Sequence, residues 1–427
     1  MTSHPTGDAA TSIDPKGLLA MQSRSFLKSG HVPTLISAFL YFDLSFMVWV
    51  ILGPLGVAIS KSLHLDAAQK GLMVATPLLA GAALRLVVGV LVDHIGPRRT
   101  GIFSQLVVLA GLSLAWFLGI HSYSQVLLLA VVLGVAGASF AVALPLASRW
   151  YPPEYQGLAL GIAGAGNSGT ALAALFAPSL AKIYGWTNVI GLATIPLLAV
   201  LIVYLLLAKD APNPPKPKKA GEYLQVLRQA DCWWLMLLYA VTFGGFSGLA
   251  SSLTIYFNSE YRLGPVIAGF FTAGCVFAGS AARPLGGAIA DRQGGVRTLI
   301  GVYLLVAAAL AFASFHLSSA WMALAVLLAA MMALGAGNGA VFQLAPQRFG
   351  KEIGVITGLV GAMGGVGGFY LASTLGLSKQ LTGSYQTGFF AFAGLASVAL
   401  LCLTGVKSRW RQTWRASAGP AGAELRV

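Results

Sequence analysis

The chain has 427 residues, of which 9% are Asp, Glu, Lys or Arg and 57% are hydrophobic, against about 25% charged residues in an ordinary soluble domain. So few charges cannot cover a water-exposed surface of this size, whereas a bilayer interior asks for none. The net charge of +14 sits in short basic clusters between apolar runs, which is a topology signal and not a nucleic-acid footprint.

Residues 1–33 are a polar stretch carrying Lys16, Arg24 and Lys28, without a short apolar segment ahead of a small-residue cleavage site. They are expected to form a retained cytoplasmic tail, with a short surface helix around residues 17–26. Apolar segments able to cross a bilayer, each about 20 residues or somewhat longer, follow at 34–57, 68–92, 101–120, 125–148, 158–180 and 187–208. The connection over 209–231 opens with KDAPNPPKPKKAGEY, whose prolines and lysines predict an extended, mobile linker. Six more segments follow at 232–257, 265–290, 298–317, 321–347, 354–376 and 386–405, and 406–427 forms a second tail. These runs are far longer than the ~10-residue alternating strands of a membrane barrel. The 52 glycines suit closely packed helices. The expected fold is therefore an all-α membrane protein with twelve transmembrane helices, six in 34–208 and six in 232–405.

Orientation follows from the connections. With the N-terminus in the cytoplasm, Lys and Arg on the cytoplasmic side outnumber those on the other side twenty to five, which places both termini inside.

The two halves repeat each other. RLVVGVLVDHIGPRR in the first matches RPLGGAIADRQGGVR in the second, with Arg85 eight residues before Asp93 and Arg283 eight residues before Asp291. GASFAVALPLASRWYP matches GNGAVFQLAPQRFG through Pro145 and Pro346, and GIAGAGNSG matches GAMGGVGG. Six plus six spans with matched punctuation point to a duplicated carrier that rocks around a central site.

Three charged side chains stand well inside apolar spans: Asp43, Arg85 and Arg283. Each is a functional candidate, because an unpaired charge there costs several kcal/mol or more. Arg85 and Arg283 lie roughly 12 Å along their helices from the loop aspartates. Arginine keeps its charge and offers a planar fork of donors, so one from each half suits a small anion bound between them. Asp43 is pulled toward its protonated form by burial and held ionised by any neighbouring arginine. A proton carrier, an ion pair with Arg85 and an interfacial group all remain open.

Asn167, Asn338 and Gln343 offer uncharged hydrogen-bonding groups to an oxyanion. Phe140 follows a small-residue patch, and Tyr239 and Phe243 share a helical face, so their rings could sandwich a flat anion or simply pack. The loop motifs holding Asp93, Arg98, Asp291 and Arg297 read as cytoplasmic gate turns. The glycine strings lack the preceding strand and the GK[ST] ending of a nucleotide loop. Cys232, Cys275 and Cys402 have no metal-ligand spacing, so neither metal nor cofactor is expected. No nucleophile, base and orienting residue converge, so no enzyme is expected either.

On the duplicated D-x-x-G-[PG]-x-R loops the chain resembles the major facilitator superfamily. On GAGNSG, GAGNGAVFQLAPQRF, GLVGAMGGVGGF and the two intramembrane arginines it resembles the nitrate/nitrite porter family, over residues 34–405. The resemblance implies two pseudo-symmetric six-helix bundles working by alternating access in a bacterial inner membrane, with a monomer sufficing. It implies that Arg85 and Arg283 hold nitrate or nitrite while Phe140, Tyr239 and Phe243 close around the ion. Asn167 matches the asparagine of the first glycine signature, and Gly164 and Gly365 belong to signatures that flex near the gate. Asp43 departs from the best-understood exchangers and looks like the branch proposed to carry nitrate together with protons. Import of an anion against a negative interior would need more than one proton per nitrate. Obligatory nitrate/nitrite exchange, or another small oxyanion such as formate, remains open.

Overall fold

The computed structural model describes residues 26–212, 220–349 and 352–417. Most of the N-terminal tail, with its expected surface helix, lies outside the described residues, as do the proline-rich stretch 213–219 and the end of the second tail. Among the described residues, twelve helices are long and apolar enough to cross a membrane: α1 (Val32–Leu63), α2 (Ala67–Ile95), α3 (Pro97–Leu118), α4 (Tyr123–Ser148), α5 (Leu158–Tyr184), α6 (Trp186–Leu207), α7 (Ala230–Tyr261), α8 (Pro265–Gln293), α9 (Gly295–Ala313), α10 (Ala320–Arg348), α11 (Gly354–Thr382) and α12 (Gln386–Trp414). The chain is an all-α, multi-pass protein of twelve spans.

Most spans outrun the apolar segments that announce them, because polar ends and caps extend them. Asp66 opens α2 and Ser122 opens α4 through reciprocal capping boxes with Gln69 and Gln125. Gly96 (φ 86°) closes α2 and Gly294 (φ 95°) closes α8. At these turns the D-x-x-G repeat needs a residue that tolerates positive φ. Two differences from the sequence reading stand out. AGEYLQVL, at the end of the expected linker, is a helix over Ala220–Leu227, since the prolines stop just before it. The last helix does not stop at 405 but runs on to Ser417, because Trp410 and Trp414 on this extension are buried.

The first half is interrupted where the second is continuous. α1 breaks at Val50–Ile51, α4 at Ala138–Ser139, and α5 passes through a 3-10 turn over Ala165–Ser168. Their counterparts α7, α10 and α11 are single helices, and Pro346 sits inside α10 without breaking it.

The halves meet through small residues. A side chain on Gly53 of α1 would run into the Ser251 backbone of α7, one on Gly71 of α2 into Gly376 of α11, and one on Gly269 of α8 into Ala174 of α5. The amide of Ala67 also donates to Gln380 Oε1 across the halves at 3.0 Å. These contacts lie toward the end of the molecule that carries the 64–66 and 262–264 connections, where the halves are zipped together. Further in, Gly365 of α11 sits against the Leu78 carbonyl of α2.

Candidate functional site

Arg85 comes from the middle of α2 and is 1% exposed. Its guanidinium is held by two backbone carbonyls: Nη2 donates to Gly137 O at 2.8 Å and Nη1 donates to Gly361 O of α11, in the other half. The break in α4 supplies the first of these. The Ala141 amide, which in a regular helix would bond Gly137 O, bonds Ala138 O instead, and the freed carbonyl faces Arg85. Close approach at Gly361 supplies the second, since a Cβ there would crowd the Arg85 side chain.

Arg283, from the matching position of α8, enters from the opposite side and is less deeply buried. Its Nη1 is enclosed and has no hydrogen-bond partner, and the same holds for Arg85 Nε; the Tyr239 hydroxyl lies against the Arg283 guanidinium. Both arginines look onto one ring. Arg85 Cζ lies 5.0 Å from the Phe140 centroid and Arg283 Cζ lies 6.0 Å from it. Arg85 is also 5.9 Å from Phe243, and Arg283 is 5.8 Å from Phe342. Cation–π contacts of this kind contribute about 0.5–2 kcal/mol each. They leave both cations charged and facing a shared ring, and an anion between the two would be attracted to each.

The aromatic wall is built from the second half. Tyr239 and Phe243 stack at 5.2 Å and 5°, and they lie flat because Gly364 of α11 offers no Cβ beneath either ring. Phe342 of α10 meets Tyr239 edge-on at 5.0 Å and reaches Phe140 at 5.9 Å. Trp49 of α1 continues the stack onto Phe243 at 6.4 Å, fixed by its indole N–H donating to Pro77 O at 2.8 Å. Phe342 lies within a quoted motif and Trp49 in the first span, but nothing in their spacing marks them out.

The remaining candidates separate. Asp43 does not pair with Arg85. Its carboxylate accepts from Ser168 Oγ at 2.7 Å, beside the 3-10 turn of α5, and among the described residues it forms no ion pair. Asn167 sits on that turn with its Oδ1 buried and unanswered, and Asn338 in α10 has both amide atoms buried and unanswered. Gln343 Oε1 turns toward Gly295 at the start of α9, away from the arginines. Gly164 has open space around it, whereas Gly365 is tightly seated.

At the ends of the helices, Asp93 Oδ1 accepts from Arg149 Nη2 at 3.1 Å. Arg98 turns to α6 instead, with its amide donating to Asp210 Oδ1 at 2.9 Å and its Nη2 donating to Leu205 O at 3.0 Å. Asp291 and Arg297 are exposed at the matching turn. The second half carries a cluster that the sequence does not announce. Asp231, 5% exposed, accepts from Arg348 Nε at 2.6 Å, Trp410 Nε1 at 2.8 Å and Trp414 Nε1 at 3.3 Å.

Twelve spans in two repeated halves, together with the chain's relatives, define a membrane transporter and not an enzyme. The Major Facilitator Superfamily model matches residues 35–372, and the chain belongs to that superfamily and, within it, to the nitrate/nitrite transporter (NarK-like) family. It is 31% identical over 351 residues to the nitrite extrusion protein of Bacillus subtilis, covering 82% of this chain and 88% of that one. It is 32% identical over 382 residues to the probable nitrate/nitrite transporter NarK2 of Mycobacterium tuberculosis, covering 87% and 95%. A probable nitrate/nitrite antiporter, NarK1 of Thermus thermophilus, is 31% identical over 394 residues, covering 85% and 88%. Among solved structures, an inward-facing, occupied bacterial homologue of the human lysosomal transporter Spinster matches with a TM-score of 0.69 at 17% identity, over 88% of this chain and 96% of that one. That likeness is one of fold.

Proposed function

We propose that the chain carries nitrate, and nitrite with it, across a bacterial inner membrane by alternating access, with the anion bound between Arg85 and Arg283. The observation that carries this reading is the convergence of two guanidiniums, one from each half, on the Phe140 ring, with Arg85 Nε and Arg283 Nη1 unanswered. A small planar oxyanion accepts from both forks, removes their repulsion and fits flat beside Tyr239 and Phe243. Asn167 and Asn338 supply further amides to the pocket or its approach. The names of the relatives agree with a nitrate or nitrite substrate.

Residues 34–208 and 232–405 act as the two rocking units, with both termini cytoplasmic, and a monomer suffices. Rocking moves the Gly361 carbonyl relative to Arg85, so binding and switching are coupled at one side chain. The turns holding Asp93, Arg98, Asp291 and Arg297 serve the cytoplasmic gate, and Gly365 sits at the crossing where α2 and α11 move.

Import is coupled to protons through Asp43, whose bond to Ser168 ties its charge to the 3-10 turn of α5. Obligatory exchange of nitrate for nitrite is the second reading, favoured by the carbonyl-held Arg85: an empty site with two uncompensated charges resists switching. Labelled nitrate uptake into proteoliposomes with an alkaline interior, clamped voltage and no internal nitrate or nitrite separates the two. Uptake driven by the pH gradient supports symport, and uptake only after internal nitrite loading supports exchange. No uptake under either condition removes nitrate as the substrate.

A further inference from the structure

A cluster of basic side chains lies far from the arginine pair, in an opening of about 400 Å³ between the start of α3 and the end of α6. Arg98, Arg99 and Lys209 line it, together with Asp210, Leu205 and Leu206. Its polar wall is fixed in place. The Lys209 carbonyl accepts from Trp150 Nε1 at 2.8 Å and its amide donates to Thr34 Oγ1 at 3.0 Å, while Arg98 is tied to α6 through Leu205 O. Asp210 is engaged with the Arg98 amide, so it answers the helix end more than the cationic side chains. Arg98 Nε is buried without a partner. Among the described residues, Arg99 and Lys209 form no ion pair with an acid.

Basic residues at helix ends are ordinary topology signals. Here they are gathered around a cavity whose other wall is apolar and faces outward: Leu206 is 73% exposed and Leu205 43%. Phe103 and Leu106, about one and two turns beyond Arg99 in α3, are likewise exposed. A soluble anion has no use for that wall, and a lipid without net charge leaves the excess positive charge unanswered. We infer that this opening holds the headgroup of an anionic phospholipid, with its phosphate between Arg98, Arg99 and Lys209 and its acyl chains lying along Leu206 and Phe103. The bound lipid ties α3 to α6 just before the connection that joins the two halves. The inference does not depend on which ion the carrier transports.

The test uses the full chain in mild detergent, with native mass spectrometry and thermal unfolding on titration of phosphatidylglycerol, phosphatidylcholine or inorganic phosphate. The intact protein is expected to retain one phosphatidylglycerol through delipidation and to gain several degrees in Tm from it. The R99Q/K209Q variant, which leaves the structural Arg98 in place, is expected to bind it at least tenfold more weakly. The charge-preserving R99K/K209R variant is expected to keep it. Equal retention by R99Q/K209Q, or an equal gain from phosphatidylcholine, overturns the proposal. A gain from inorganic phosphate matching that from phosphatidylglycerol also overturns it, by making the site one for a free anion.

Discussion

The two halves share a repeat but not a backbone. In the first, α1, α4 and α5 are broken; in the second, α7, α10 and α11 run through. The break in α4 frees the Gly137 carbonyl for Arg85, and the turn in α5 brings Ser168 to Asp43. The unbroken α7 carries the stacked rings, and α8 carries Arg283, whose Nη1 has no partner. The first half thus has its charges held by backbone carbonyls, one of them Gly361 O lent by the second half, and by a hydroxyl, while the second presents a flat aromatic wall and a freer arginine. Equivalent positions in a duplicated sequence have become a clamp and a receptor.

Substitutions that treat the two arginines differently test this contrast most severely. Replacing either by alanine is expected to lower labelled nitrate uptake by at least about 100-fold, since an interaction with the bound anion is lost. The lysine variants should then diverge. Arg85→Lys gives up carbonyl bonds from a charged donor worth about 1.5–3 kcal/mol each, so its Tm falls by several degrees; Arg283→Lys loses uptake with Tm nearly unchanged. Equal Tm losses in thermal unfolding would erase the distinction.

The end clusters give the next largest effect. Asp231→Asn leaves Arg348 without its carboxylate and weakens both tryptophan bonds, at about 2–3 kcal/mol after allowing for the partial exposure of Arg348. Asp93→Asn breaks a single pair in the first half, whose carboxylate is more exposed than Asp231, and should cost about 1 kcal/mol or less. Thermal unfolding of the two variants side by side checks the order. Gly364→Ala puts a methyl under Tyr239 and Phe243 and is expected to reduce nitrate affinity about tenfold, by an overpacking cost of about 1–3 kcal/mol. Gly164→Ala, with open space around it, should change uptake less than about twofold and raise Tm slightly. Ser168→Ala falls between these two glycine variants. It removes one hydrogen bond to a charged group, about 1.5 kcal/mol or somewhat more, and is expected to slow uptake driven by a pH gradient several-fold while leaving nitrate binding intact.

Much of this was legible in the sequence, for a physical reason. A span announces itself by summing some twenty side chains, and a buried arginine by violating that sum, so the twelve helices, Arg85 and Arg283 are visible without coordinates. What answers the arginines is not. Backbone carbonyls carry no side-chain signature, and the α4 break that frees Gly137 O occurs at Ala138–Ser139, where no proline marks it, while Pro346 sits in an unbroken helix. Asp231 and Trp410 are 179 residues apart, beyond any local pattern. Asp43 could have been paired with Arg85 on charge alone, but the hydroxyl of Ser168 lies at hand in the glycine string that packs against α1.

The glycine contacts that zip the halves together also set how they part. Where Gly71 meets Gly376 and Gly53 meets the Ser251 backbone, helix backbones touch directly, and between them the Ile255 side chain seats against Gly56. Separation there draws backbone from backbone with few side chains to withdraw, which suits a joint that must open at every turnover. A methyl group at Gly71 or Gly376 is therefore a wedge, and a carrier wedged there would be biased toward the orientation that opens at this end.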